Sequence, residues 1–146
     1  MSRVESIPFA ISRTNHMARP KEEQPTSGEL EVLKVLWDRG PSTVRDVMDV
    51  LHAERPRAYT SVMSLMNVMA DKGLLVRVPQ GRAFVYRPKV ERERTLRRMV
   101  GDLLGRAFEG SAHELVAHLL DQTKPIAAEL DEIRRTIAEY QKERGP

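Results

Sequence analysis

Apolar residues recur at helical spacing from position 30 onward, in runs separated by glycine and proline. Leu30, Leu33 and Trp37 mark a first stripe, widened by Val32, Val35 and Leu36. Thr26 and Glu29 ahead of it have capping-box spacing, Pro25 bars an earlier helix, and Gly40-Pro41 ends this one. A second start at Ser42-Thr43 leads into Val44, Val47, Met48 and Leu51, a short helix reaching about Ala53 before Arg55-Pro56-Arg57 breaks it. The third predicted helix runs from about Tyr59 to Lys72 and closes at Gly73, a natural left-handed cap. Its core stripe is Val62, Leu65, Met66 and Met69. The opposite stripe, Thr60, Met63, Ser64 and Asn67, is small or polar apart from one methionine.

After Gly73 the period falls from near four to two. Leu75–Val78, Pro79–Arg82 and Ala83–Arg87 read as strand, turn and strand. Three short helices followed by a β-hairpin are the chain order of a winged helix-turn-helix. Pro88 ends the hairpin and a helical third begins. Leu96, Met99, Val100, Leu103, Leu104, Ala107 and Phe108 form one continuous stripe, and Ser111-x-x-Glu114 opens a helix striped by Leu115, Val116, Leu119 and Leu120. Pro125 suits a first helical position, and Ile126, Leu130, Ile133, Ile137 and Tyr140 repeat close to a heptad seam. Three helices of this size cannot hide so much apolar surface among themselves. A two-fold homodimer is the economical cover, with Leu96, Met99, Val100, Leu103, Leu104, Phe108, Leu115, Leu119, Ile126, Leu130, Ile133 and Ile137 as the expected interface. The predicted architecture is therefore mostly α: a flexible tail over 1–25, a winged helix-turn-helix over 26–89 and a three-helix dimerisation region over 90–146. Met17 is a second candidate for the first residue.

At 146 residues, 40% hydrophobic and 31% charged, the composition is that of a soluble globular protein. No apolar run approaches a membrane span, and the N-terminus does not resemble a secretory signal. The absence of cysteine excludes disulfides, a thiol nucleophile and a cysteine-ligated zinc finger. Cytoplasmic residence is the expectation, with no direct membrane binding. The net charge of +3 is unevenly spread: residues 55–89 hold seven bases and one acid, Asp71. A local charge of +6 attracts polyanions.

That focus falls on the third helix and hairpin, the parts of a winged helix that meet the DNA grooves. Thr60, Ser64 and Asn67 are candidates for base edges, with Asn67 suited to adenine and Met63 to a thymine methyl. Ser61 and the helix N-terminus suit a phosphate. Arg82 at the turn, flanked by Arg77 and Arg87, and Arg57 before the helix are the candidate backbone contacts. Each position taken singly also reads as an ordinary solvated one, and arginines on a hairpin also guard its edges. Trp37 reads as a core anchor. His16, His52, His113 and His118 are scattered, and His113 and His118 lack the spacing that puts two ligands on one helical face. No metal site, cofactor or catalytic motif is expected, so the chain is not read as an enzyme.

Four segments resemble the penicillinase-repressor family (BlaI/MecI, with the copper-responsive CopY repressors as relatives): Thr26–Trp37, Ser42–Val47, Ala58–Met63 and Asp71–Leu75. Gly81-Arg82 to Tyr86-Arg87-Pro88 is similar to its wing, and Phe108–Ser111 to the loop between its dimerisation helices. The resemblance implies a dimeric repressor that sets one winged helix on each half of a palindromic operator. In the best-known members a membrane sensor protease cleaves the repressor in its dimerisation region, which makes such a protease a candidate partner. The Asn-Phe pair cut in those members is replaced by His118-Leu119, and no cysteine-rich metal tail is present. Val68 stands where an arginine is usual and Ser61 where a threonine is frequent, so a different operator is expected. A protein-interaction module and a ligand-responsive regulator without proteolytic induction remain as alternatives.

Overall fold

The computed structural model describes residues 24–145, so the expected tail, with its alternative start at Met17, lies outside the described residues up to Glu23. Helix α1 (Ser27–Arg39) opens on the anticipated capping box: Thr26 Oγ1 accepts from the Glu29 amide at 3.2 Å and the Thr26 amide donates to Glu29 Oε1 at 3.0 Å. It stops at Gly40, whose φ of 90° few other residues adopt. Helix α2 (Val44–His52) carries a second box, between Thr43 and Asp46, in which aspartate takes the place usual for Glu or Gln. Helix α3 (Tyr59–Asp71) ends in a Schellman motif: Leu74 N–H bonds Met69 O and Gly73 N–H bonds Ala70 O, with Gly73 at φ 88°.

The hairpin follows at once. Strand β1 (Leu75–Gln80) pairs antiparallel with β2 (Ala83–Pro88) in the register Leu75↔Pro88 to Gln80↔Ala83. Pro79 and Gln80, expected in the turn, instead extend β1, because Gly81 at φ 63° followed by Arg82 makes a two-residue turn sufficient. On its other edge β2 exchanges both backbone bonds of Tyr86 with Ser42, at 3.0 and 2.8 Å. The core comprises Val32, Leu33, Val35, Leu36, Val44, Val47, Leu51, Val62, Met66, Met69, Leu75 and Tyr86. All but Leu75 and Tyr86, which sequence identifies only as strand residues, lie on the apolar stripes that periodicity marks.

Helix α4 (Arg92–Ala107) begins after the hairpin, but the first compact unit reaches Met99, beyond the boundary expected at 89. Trp37 accounts for part of this: its indole N–H donates to Val90 O at 3.0 Å, and Val90 packs against the core. Leu96, assigned above to a dimer interface, lines a cleft with Leu30 and Trp37 of α1, and Met99 also falls within this unit.

The second unit begins at Val100 and holds the rest of α4, α5 (Ala112–Thr123) and α6 (Ala127–Arg144). Ser111 caps α5 by accepting from the Glu114 amide. Helix α6 begins after an Ile126 cap, so Pro125 precedes the helix and does not occupy its first position. None of the residues of α4, α5 or α6 is buried. Val100, Leu103, Leu119 and Ile137 are about half exposed, and Ile126 is 72% exposed.

Candidate nucleic-acid interface

The inward stripe of α3 fixes what its outer face presents. With Val62, Met66 and Met69 buried, Tyr59, Thr60, Ser61, Met63, Ser64 and Val68 are all exposed. No side chain caps the N-terminus of α3, where Ala58 is the cap residue. Its first amides thus retain the partial positive charge that favours an anion. Arg45, from the first turn of α2, lies over the Tyr59 ring with its guanidinium carbon 5.0 Å from the centroid. It adds a cation beside that N-terminus. Sequence reading missed Arg45 because it stands outside the basic run, and only the packing of α2 against α3 brings it there.

The basic residues of the run then separate into two groups. Arg57, expected to contact DNA, turns inward: its side chain is 9% exposed, and its two terminal nitrogens bond Glu31 Oε1 and Oε2 at 3.2 and 3.4 Å. Its backbone N–H donates to His52 Nδ1. This arginine ties the segment before α3 to α1 and does not present a free guanidinium. Arg55, mostly exposed, lies 3.7 Å from the same carboxylate. Lys72 Nζ sits 2.7 Å from Glu29 Oε2, a carboxylate that is itself buried. Burial pushes the Glu29 pKa up, but the Lys72 and Thr26 hydrogen bonds and the Lys72 charge together hold it below its ordinary value. Asp46 is likewise lowered, by the Thr43 backbone and hydroxyl bonds of its capping box.

Arg77 donates from Nη1 to Asn67 Oδ1 at 2.6 Å, lies 4.0 Å from Asp71, and covers the Phe84 ring at 5.6 Å. Asn67 Oδ1 also accepts from the Tyr86 hydroxyl at 2.8 Å. The two-bond pairing with adenine expected of Asn67 needs that oxygen, which already serves two donors. Arg82, Arg87 and Lys89 are exposed and have no carboxylate within ion-pair distance among the described residues. The wing therefore projects Arg82 at its turn and Arg87 on β2, beside an α3 face free of acid as far as Ala70. Among the described residues no three His, Asp or Glu side chains gather as metal ligands, and no helix is long and apolar enough to cross a membrane.

The chain is 34% identical over 122 residues to the transcriptional regulator BlaI of Mycobacterium tuberculosis, covering 81% of this chain and 87% of the relative. It is 23% identical over 120 residues to the penicillinase repressor of Bacillus licheniformis, covering 82% and 94%. Among solved structures it is similar to the DNA-binding domain of the repressor BlaI, with 26% identity, a TM-score of 0.44, and coverage of 48% of this chain and 88% of that one. The penicillinase repressor family model matches residues 25–139, from the turn before α1 to near the end of α6, and the chain belongs to that family.

Proposed function

We propose that this chain is a homodimeric, sequence-specific DNA-binding repressor that occludes a promoter at a palindromic operator. The observation that carries the reading is the pairing of the short, uncharged outer face of α3 with a wing whose Arg82 and Arg87 stand free of carboxylates among the described residues. Thr60, Met63 and Ser64 face the base edges of the major groove. Ser61 and the open amides of α3 hold a phosphate, joined by Arg45. Arg82 and Arg87 follow the backbone on either side of the wing. An acidic α3 face would have favoured a protein-interaction module, and this face carries no acid before Asp71.

The second unit supports the dimer. Helices of 12 to 18 residues are marginal alone in water, and these bury none of their residues in a single chain. A second copy, meeting Val100, Leu103, Leu104, Phe108, Leu115, Leu119, Ile126, Leu130, Ile133 and Ile137, removes that apolar surface from solvent. The membrane sensor protease implied by the family resemblance meets an obstacle here. His118 and Leu119 are exposed but lie in the middle of α5, so cutting between them requires local unfolding of that helix.

The test is retention of fragments of the source genome by the purified protein at moderate salt, followed by sequencing. A short palindrome upstream of a promoter is the expected result. Weak, random retention would leave only non-specific attraction by the wing and return the interaction module as the better reading.

A further inference from the structure

We infer that Asn67 is the positioning residue of the wing: it fixes the hairpin to α3 and does not read a base. The inference rests on the DNA-binding reading above only for what the wing then does. A carboxamide oxygen has two lone pairs, and both of those on Asn67 are engaged, by the Tyr86 hydroxyl at 2.8 Å and Arg77 Nη1 at 2.6 Å. The orientation of the amide is chemically forced, because a guanidinium only donates and would repel the amide NH2. Tyr86 is 2% exposed, so its hydroxyl requires a partner, and its backbone is held by Ser42 on the opposite edge. Arg77 passes the contact outward. Registers Arg77↔Tyr86 and Pro79↔Phe84 put all four side chains on one face of the hairpin, where the Arg77 guanidinium covers Phe84. Phe84 is two residues from Arg82.

An isolated two-stranded hairpin is barely stable in water, so this one must lean on its neighbours. Its outer half is poorly packed, with Val78 and Phe84 nearly half exposed. Among the described residues the Asn67 bonds are the only side-chain hydrogen bonds between α3 and the hairpin. One carboxamide thus sets where Arg82 stands relative to Thr60 and Ser64. The Ser42 bridge and the buried Leu75 and Tyr86 anchor the base of the hairpin; the carboxamide adds the tie that carries this anchoring outward to the wing.

The experiment is a double-mutant cycle on the full-length protein, using a duplex selected by the native protein from a random-sequence pool. Asn67→Leu is expected to weaken binding about tenfold in the native background but only about twofold when Arg82→Ala is already present, since both changes act through the wing. Base preference at every operator position stays unchanged. Asn67→Asp, which keeps acceptor oxygens for Tyr86 and Arg77 but loses the amide donor an adenine needs, retains affinity within about threefold. Equal losses in both backgrounds, with altered preference at one base per half-site, would make Asn67 a reader and overturn the inference. Amide hydrogen exchange without DNA supplies an independent readout. In Asn67→Leu, exchange should quicken across β1 and β2 while α1 and α2 keep their protection, and Asn67→Asp should restore the hairpin. Unchanged hairpin exchange refutes the clamp. If the native protein selects no duplex, the DNA-binding reading fails and the exchange result alone decides the clamp.

Discussion

Replacing Lys72 with methionine strands a buried carboxylate, and the structure sets both the size and the pH dependence of the penalty. Glu29 is 3% exposed; Oε1 takes the Thr26 amide and Oε2 takes Lys72 Nζ at 2.7 Å. Removing one partner of a fully buried pair costs about 3–5 kcal/mol. The Lys72 side chain is 30% exposed, so water can replace its ammonium in part, and the expected loss is about 1–2 kcal/mol at pH 7. Glu29→Gln leaves Lys72 able to turn to solvent and keeps the cap, so it costs less, about 0.5–1 kcal/mol. In the native protein the Glu29 pKa lies below its ordinary value of 4.5. Its contribution is therefore complete above pH 4.5 and is lost as pH falls through the folded-state value. Without Lys72 both of its lowering contributions go while burial stays, so the Glu29 pKa rises relative to the native protein and the stranded carboxylate is relieved by taking up a proton. The gap between native and Lys72→Met should therefore narrow as pH is lowered toward 4. Urea unfolding followed by the single tryptophan, Trp37, at fixed protein concentration measures this at pH 7, 5.5 and 4. A difference below about 0.3 kcal/mol at pH 7, or one that widens in acid, would refute the argument.

Other predictions follow from the same geometry. Arg82→Ala should weaken binding to all sequences alike and reduce the slope of log affinity against log salt by about 2 per dimer, one phosphate per wing, as read by fluorescence anisotropy; an unchanged slope removes Arg82 from the backbone contacts. Leu103→Asp should yield monomers in sedimentation and poor DNA binding, because an unpaired charge in an apolar interface costs several kcal/mol, on the order of 3. Dimers that survive it put the interface elsewhere. Met66→Ala, at a fully buried position of α3, should lower stability by about 2–4 kcal/mol in denaturant unfolding.

The elements of the first unit were legible because each is specified locally. Thr26 and Glu29 announce α1, the stripes of α1 to α3 face the core, and Gly73 marks the change of period from helix to strand. Pairing at long range was not legible. Glu31 and Arg57 are 26 residues apart and Glu29 and Lys72 43, and no local pattern says which carboxylate a given arginine or lysine will meet. Asn67 is a further case: it falls on the polar stripe of α3, where sequence suggests a base contact, but the donors to its oxygen, Arg77 and Tyr86, belong to a hairpin whose tilt onto the helix no periodicity encodes.

The long-range pairs also change what the charge of residues 55–89 means for DNA. Seven bases per protomer, if all met phosphates, would give a dimer a salt slope near −13 at about −0.9 per phosphate. Arg57, Lys72 and Arg77 are held by Glu31, Glu29 and Asn67, and Arg55 faces Glu31. Arg82, Arg87 and Lys89 remain, with Arg45 added from α2. Four cations per protomer give a slope near −7, at about −0.9 for each phosphate. Measuring affinity for one operator duplex between low and moderate salt separates the two values. A slope near −13 would mean that the inward arginines release their carboxylates on binding. A slope near −7 would mean that the fold, and not the composition, sets how many phosphates this protein neutralises.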